Sequence, residues 1–232
     1  MLATIADRLH SLRTELDEEL RACGREPGSV KILGVSKKQP AESIEEAVAA
    51  GLEDIGENYV QEAREKFAVL RLRGPAAAQD DNSVRKHYIG HIQTNKAKQL
   101  VAVFDVVQSV DRHEAAAALD KAAVSAGTVL PVLLQLNVSP SERFGCPPAE
   151  AGALAEYVRQ CAGLRLDGVM AIGPITQDRG EIVRAFDVAA KTFARVGGST
   201  LSIGMSGDWR EAVRAGSTMI RIGTALFGER RV

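Results

Sequence analysis

KILGVSKKQPAESIEEAVAAG (31–51) reads as one strand followed by one helix. Residues 31–37 form a short run rich in Ile, Leu and Val, the composition of a buried parallel strand. Residues 41–51 then carry apolar side chains at helical spacing and stop at Gly51, a residue suited to the end of a helix. The same unit recurs along the chain. Further Val-, Ile- and Leu-rich runs stand at 54–59, 86–90, 103–110, 131–138, 164–173, 199–205 and 219–227, with helical patterns such as 113–127 and 181–197 between them. Eight strands with intervening helices in 232 residues suit a closed barrel, a fold that takes roughly 250. The fold class is therefore α/β, a single (β/α)8 TIM-type barrel read as one domain over 1–232. A doubly wound open sheet is the alternative, but no strand-to-helix turn carries its G-x-G-x-x-G fingerprint.

An extra helix precedes the first strand. Leu2, Ile5, Leu9, Leu12 and Leu16 alternate spacings of three and four. Such a stripe either dimerises as a coiled coil or packs across the barrel. It lasts less than the three to four heptads that a coiled coil usually shows, which favours packing and a monomer. Gly74–Ser83 reads as a loop on the face opposite the usual barrel active site, and no chemistry is assigned to it.

Composition excludes several function classes. Charged residues make up 25% of the chain at a net charge of -1, so no field recruits nucleic acid or an anionic membrane. Aromatic residues are 4%, too few for a base-stacking surface. Cys23, Cys146 and Cys161 are odd in number and widely spaced, which argues against a disulfide framework or zinc site and fits a reducing cytoplasm. The N-terminal stretch interleaves acids and does not read as a signal peptide, and no run approaches the ~18 apolar residues of a membrane span.

Barrel chemistry collects at the carboxyl ends of the strands. Leu33, Val35 and Lys37 share one face by the period of two, which points Lys37 into the barrel mouth. Desolvation there lowers an amine's pKa and frees it to attack an aldehyde, although a strand-end Lys also simply reaches solvent. Lys38 has the other parity. After strand seven, Gly204, Ser206, Gly207 and Asp208 lead into a helix, a setting for an anion or for plain N-capping. On strand eight Arg221 and Gly223 share a face; the glycine admits an anion to the backbone. A buried Arg requires a partner, either a carboxylate such as Glu57 or a ligand. His87 and His91 lie across a strand end and a loop, so no metal site is expected.

Val35-Ser36-Lys37 with Pro40, the segment 56–62 (GENYVQE), His87-Tyr88-Ile89-Gly90 with Gln93-Thr94-Asn95-Lys96, the GMS of 204–206 and the RIGTALFG of 221–228 occur in that order. This resembles the YggS/PROSC family of pyridoxal 5'-phosphate (PLP)-binding homeostasis proteins, over essentially the whole chain. The closing segment is also similar to the barrel domain of alanine racemases. The resemblance implies PLP as cofactor, held as a Schiff base on Lys37, with Arg221 on the pyridine nitrogen. It gives the phosphate to Ser206 and the amides of Gly223 and Thr224, and makes Asn58 a lining residue. It implies a non-catalytic role in PLP homeostasis, with PLP-dependent apo-enzymes as recipients. The chain departs from the family at 137–145, where Arg143 is the nearest cation to a Lys the family usually carries.

A racemase or decarboxylase on the same barrel is the alternative. Arg stays protonated and leaves the pyridine nitrogen unprotonated, which weakens the ring as an electron sink. A racemase also needs a second acid/base opposite the lysine, supplied in alanine racemases by an added β-domain for which 229–232 leave no room. Neither Tyr59, Tyr88 nor Tyr157 can be placed there from sequence, so a carrier is expected rather than an enzyme.

Overall fold

The computed structural model describes residues 3–70, 84–139 and 144–229; Leu2, Gly74–Ser83 and Arg143 lie outside them. Eight parallel strands close into a barrel in chain order: β1 (Lys31–Val35), β2 (Asp54–Glu57), β3 (Arg85–Tyr88), β4 (Val106–Val110), β5 (Leu130–Leu136), β6 (Leu164–Ala171), β7 (Thr200–Ser202) and β8 (Met219–Ile222). The seam closes where β8 pairs with β1, from Lys31↔Met219 to Gly34↔Ile222. Closure excludes the open sheet. Between strands run α2 (Ala41–Ala49), α3 (Val60–Val69), α4 (Ala97–Val103), α5 (His113–Ser125), α6 (Ala151–Gln160), α7 (Arg179–Val196) and α8 (Trp209–Arg214). β4 is buried along its whole length, as expected of a strand with helices outside and packed side chains inside.

Two strand expectations are corrected. Val103 ends α4 instead of opening β4. The run 219–227 is strand only to Ile222, because Gly223 turns off the extended path at φ -105, ψ -87 and Thr224–Phe227 wind into a short helix, α9.

The N-terminal helix α1 (Ile5–Ala22) opens with a capping box between Thr4 and Asp7. Its stripe of Ile5, Leu9, Leu12, Leu16 and Leu20 is buried within this chain, against α2, α8 and α9. Among the described residues β8 is followed by the four-residue α9, and α1 packs against α9, α8 and α2 where an eighth barrel helix would lie. Arg8 Nε donates to Leu226 O at 2.6 Å, the Ile5 N–H to Glu46 Oε1 at 2.9 Å, and Arg214 Nε to Glu19 Oε1 at 2.7 Å. The stripe therefore packs on its own barrel. Leu9→Ala, at a side chain 1% exposed, should cost about 2–5 kcal/mol in urea unfolding; a loss well under ~1 kcal/mol would show the stripe unpacked.

Candidate functional site

Strand β1 ends at Val35, so alternation along a strand does not by itself aim Lys37. Residues 36–39 form a turn, closed by Gln39 N–H donating to Ser36 O at 3.0 Å, with Lys38 in the left-handed region at φ 59. The position of Lys37 is fixed instead by a buried ionic cluster beneath that turn. Lys66 of α3 donates through Nζ to Ser36 O at 2.7 Å and to Glu57 Oε1 at 2.8 Å, and pairs with Glu62 at 2.7 Å. Glu62 Oε1 in turn accepts from the Lys38 N–H at 2.5 Å, and Ser36 Oγ donates to Glu57 Oε1 at 2.8 Å. The peptide groups on both sides of Lys37 are thus held, one by an ammonium and the other by a carboxylate. Lys37 itself is half-buried.

Glu57 answers Lys66 and not Arg221, which corrects the carboxylate partner offered above for that arginine. Burial pushes the Glu57 carboxyl above its usual 4.5, against the hydrogen bond and charge of Lys66 and the Ser36 hydroxyl. Its Oε2 is buried without a partner.

Arg221 is 4% exposed and sits on β8 opposite Leu33 of β1, deeper in the barrel than Lys37. Nη1 donates to Ser202 O at 2.5 Å and to Ser202 Oγ at 2.9 Å, and Nη2 donates to Ala171 O at 2.8 Å. These acceptors are all neutral. A guanidinium carries five N–H donors, and Nε–H makes no bond among the described residues. Burial lowers Arg221 to about 10, opposed by the Asp208 carboxylate, so it remains charged at neutral pH. The site therefore holds a buried cation with a donor to spare.

The remaining expected residues border the same mouth. Val35 of β1 pairs with Gly56 of β2, so Lys37 and Asn58 each follow a paired position by two residues at the ends of adjacent strands. A Cβ on Gly90 would lie 2.1 Å from Asn58 O, so glycine there permits the close approach that seats Asn58. Asn58 Oδ1 is buried without a hydrogen-bond partner. Gly204 O accepts from the Arg221 N–H at 2.9 Å, which ties the loop after β7 to β8. In that loop Ser206 is exposed, while Asp208 Oδ1 accepts from the Met205 N–H at 2.6 Å and closes the loop instead of capping α8 with its side chain. A Cβ on Gly223 would lie 3.5 Å from Val35 O. Among the described residues the Gly223 and Thr224 N–H groups make no backbone bond, as expected at a helix start.

Lys37, Asn58, Ser206, Arg221, Gly223 and Thr224 thus come together at the carboxyl ends of the adjacent strands β7, β8, β1 and β2. Together they suit a ligand with an electrophilic carbon for the amine, an acceptor for Arg221, and an anionic group for the open amides and the Ser206 hydroxyl. Sequence reasoning missed Glu62 and Lys66. Their i,i+4 spacing on α3 was the available signal.

Other side chains serve structure. Tyr88 donates to His91 O at 2.9 Å, and burial pushes its phenol up to about 12. Tyr157 packs edge-on to His113, and Tyr59 is exposed. His91 stacks on Phe144 with ring centroids 3.8 Å apart. Trp209 is buried at the start of α8 under the Arg210 guanidinium. The three cysteines are unpaired, and no described helix is long and apolar enough to cross a membrane.

Residues 11–231 match the family described as Alanine racemase, N-terminal domain. A Pseudomonas aeruginosa protein named Pyridoxal phosphate homeostasis protein is 41% identical, over 99% of this chain and 97% of that one. A protein of the same name from Escherichia coli is 37% identical, over 97% of each chain. Among solved structures, PipY of Synechococcus elongatus with PLP bound superposes at a TM-score of 0.83 and 35% identity, over 97% of this chain and 100% of that one.

Proposed function

We propose, from the premise that this chain belongs to the pyridoxal phosphate homeostasis protein family, that it binds PLP on Lys37 and holds it for intracellular PLP homeostasis without turning over a substrate. The observation that carries this reading is Arg221, a buried charged guanidinium whose Nε–H makes no bond among the described residues. A spare donor on a buried guanidinium is open to an acceptor from a ligand, and the pyridine nitrogen of PLP is one. Asn58 Oδ1, a buried atom without a partner, would line the ring. Ser206 and the amides of Gly223 and Thr224 would take the phosphate. When bound, PLP supplies an aldehyde carbon that the Lys37 amine captures reversibly.

The chain's own residues favour retention over turnover. Arg221 holds its proton at neutral pH and donates to the ring nitrogen instead of protonating it. Tyr88 has its hydroxyl engaged and its pKa raised, so it is no acid/base partner for Lys37. The relatives are named homeostasis proteins rather than enzymes. PLP-dependent apo-enzymes are the proposed recipients. Burial of the α1 stripe within the chain supports a monomer, and three unpaired cysteines support a reducing cytoplasm.

Titration of the purified protein with PLP, followed by borohydride reduction and peptide mapping, tests the site. The expected result is a visible absorption band and a single reduced label on Lys37. No band after PLP addition would overturn the reading. Robust racemisation of any amino acid would overturn the carrier role.

A further inference from the structure

A cavity of ≈ 350 Å³ opens at the amino-terminal end of the barrel, and His87, Gln108 and Met219 are among the residues that line it. His87 and Gln108 also belong to a continuous line of buried polar groups that runs through the barrel. Arg221 Nη1 donates to Ser202 Oγ at 2.9 Å, and Ser202 Oγ donates to Gln108 Oε1 at 2.8 Å. Gln108 Nε2 meets His87 Nδ1 at 2.9 Å, and His87 Nε2 meets Asp54 Oδ1 at 2.8 Å. The members come from β8, β7, β4, β3 and β2, and none is more than 4% exposed. Lys31, on the rim, pairs with Asp54 at 3.8 Å.

The two ends, with the Gln108 amide oriented so that Oε1 faces Ser202 Oγ and Nε2 faces His87 and the Met219 sulfur, decide the direction of every bond. Guanidinium is donor-only and an ionised carboxylate acceptor-only. Burial opposes ionisation of Asp54, but the hydrogen bond from His87 Nε2 and the ion pair with Lys31 keep it the acceptor. Ser202 has one hydrogen; having accepted from Arg221, it gives that hydrogen to Gln108 Oε1. The amide nitrogen then faces His87 Nδ1, which must accept, so the His87 proton lies on Nε2 and points at Asp54. Every donor points away from Arg221, and hydrogen bonds aligned head to tail strengthen one another in a low dielectric.

We propose that Asp54, His87, Gln108 and Ser202 are positioning residues for Arg221: they fix its guanidinium so that Nε–H stays available to the ligand, and hold a balancing negative charge at the far end of the barrel. The inference rests on the reading of Arg221 as the donor to the PLP ring. A carboxylate set directly on the guanidinium would compete with that ring. The neutral carbonyls of Ser202 and Ala171, with the polarised line behind them, do not.

Two measurements test the proposal. In PLP-free, 15N-labelled protein, NMR of the imidazole nitrogens should show His87 neutral at pH 7 with its proton on Nε2. Gln108→Leu cuts the line without touching Arg221 or Lys37, and should weaken PLP binding about tenfold and shift the visible band. Ser202→Ala removes a single oxygen and should do the same, which keeps the test intact where Gln108→Leu fails to fold. In both variants borohydride should still label Lys37. A doubly protonated His87, or folded variants with the affinity and band of the wild type, would overturn the proposal. If the wild type binds no PLP, the site reading falls and the line loses its purpose; a neutral His87 in the PLP-free protein would still establish the line itself.

Discussion

Lys37→Ala should lose all borohydride-fixable PLP and the visible band that accompanies it. Both peptide groups that flank Lys37 are pinned, Ser36 O by Lys66 and Lys38 N–H by Glu62. An amine on a fixed backbone has less conformational freedom to lose when it captures an aldehyde, which is the advantage of preorganisation. The neighbouring Lys38 is exposed and in the left-handed region, so Lys38→Ala should keep the label on Lys37. Weak, reversible PLP binding should persist in Lys37→Ala, because Arg221, Ser206 and the open amides of Gly223 and Thr224 are untouched. Absorbance titration before and after reduction separates the two components. A wild-type band in Lys37→Ala, or its loss in Lys38→Ala, would move the attachment point to another lysine.

The second large effect is expected at Lys66→Met, and it is one of stability. Breaking a buried ion pair from one side strands the other charge, at a cost of about 3–5 kcal/mol. Here the stranded group is Glu57, which already has one carboxylate oxygen buried without a partner. Because burial holds the folded Glu57 pKa above 4.5, the protonated acid suits the folded state better than the carboxylate. That contribution is full below the unfolded value and is lost as pH rises through the folded one. Removing Lys66 takes away the principal influence opposing the shift and raises the folded value further. The deficit of Lys66→Met should therefore be smallest in mild acid and grow toward neutral pH, in urea unfolding followed across that range. The double variant Lys66→Met with Glu57→Gln should recover part of the loss. A deficit independent of pH would mean that Glu57 is not the group left stranded.

The barrel was legible because its strands are buried on both faces, which gives apolar runs that stand apart from amphipathic helices. All eight runs contain a strand, yet their ends were not readable. The apolar residues of Thr224–Phe227 fit a strand as well as a helix turn, and only the backbone at Gly223 decides between them. In the site, Arg221, Gly223 and Ser206 stand out as a charge and small residues among apolar neighbours. The cluster under Lys37 did not, since Glu62 and Lys66 look like ordinary surface residues until α3 folds over the ends of β1 and β2, and Glu57 reads in sequence as a partner for Arg221 instead. Gln108 and Ser202 were polar residues inside otherwise apolar runs, with nothing to mark them out. A side chain bonded across a barrel leaves no periodic trace, because its partner lies on another strand at no fixed distance in sequence.

The seating of α1 against α2, α8 and α9 bears on how the chain acquires its structure. Arg8 meets Leu226 across 218 positions, and Arg210 meets Glu15 across 195. During synthesis the first helix emerges long before most of the surface that will cover its leucines. Until the last elements arrive, Leu9, Leu12 and Leu16 have α2 beside them but neither α8 nor α9, and the growing chain carries a half-covered greasy ridge. Contacts so distant in sequence slow folding and prolong exposure of such surfaces. Ribosome-bound intermediates stalled before residue 219 should accordingly engage chaperones through α1, and release them once β8 is out.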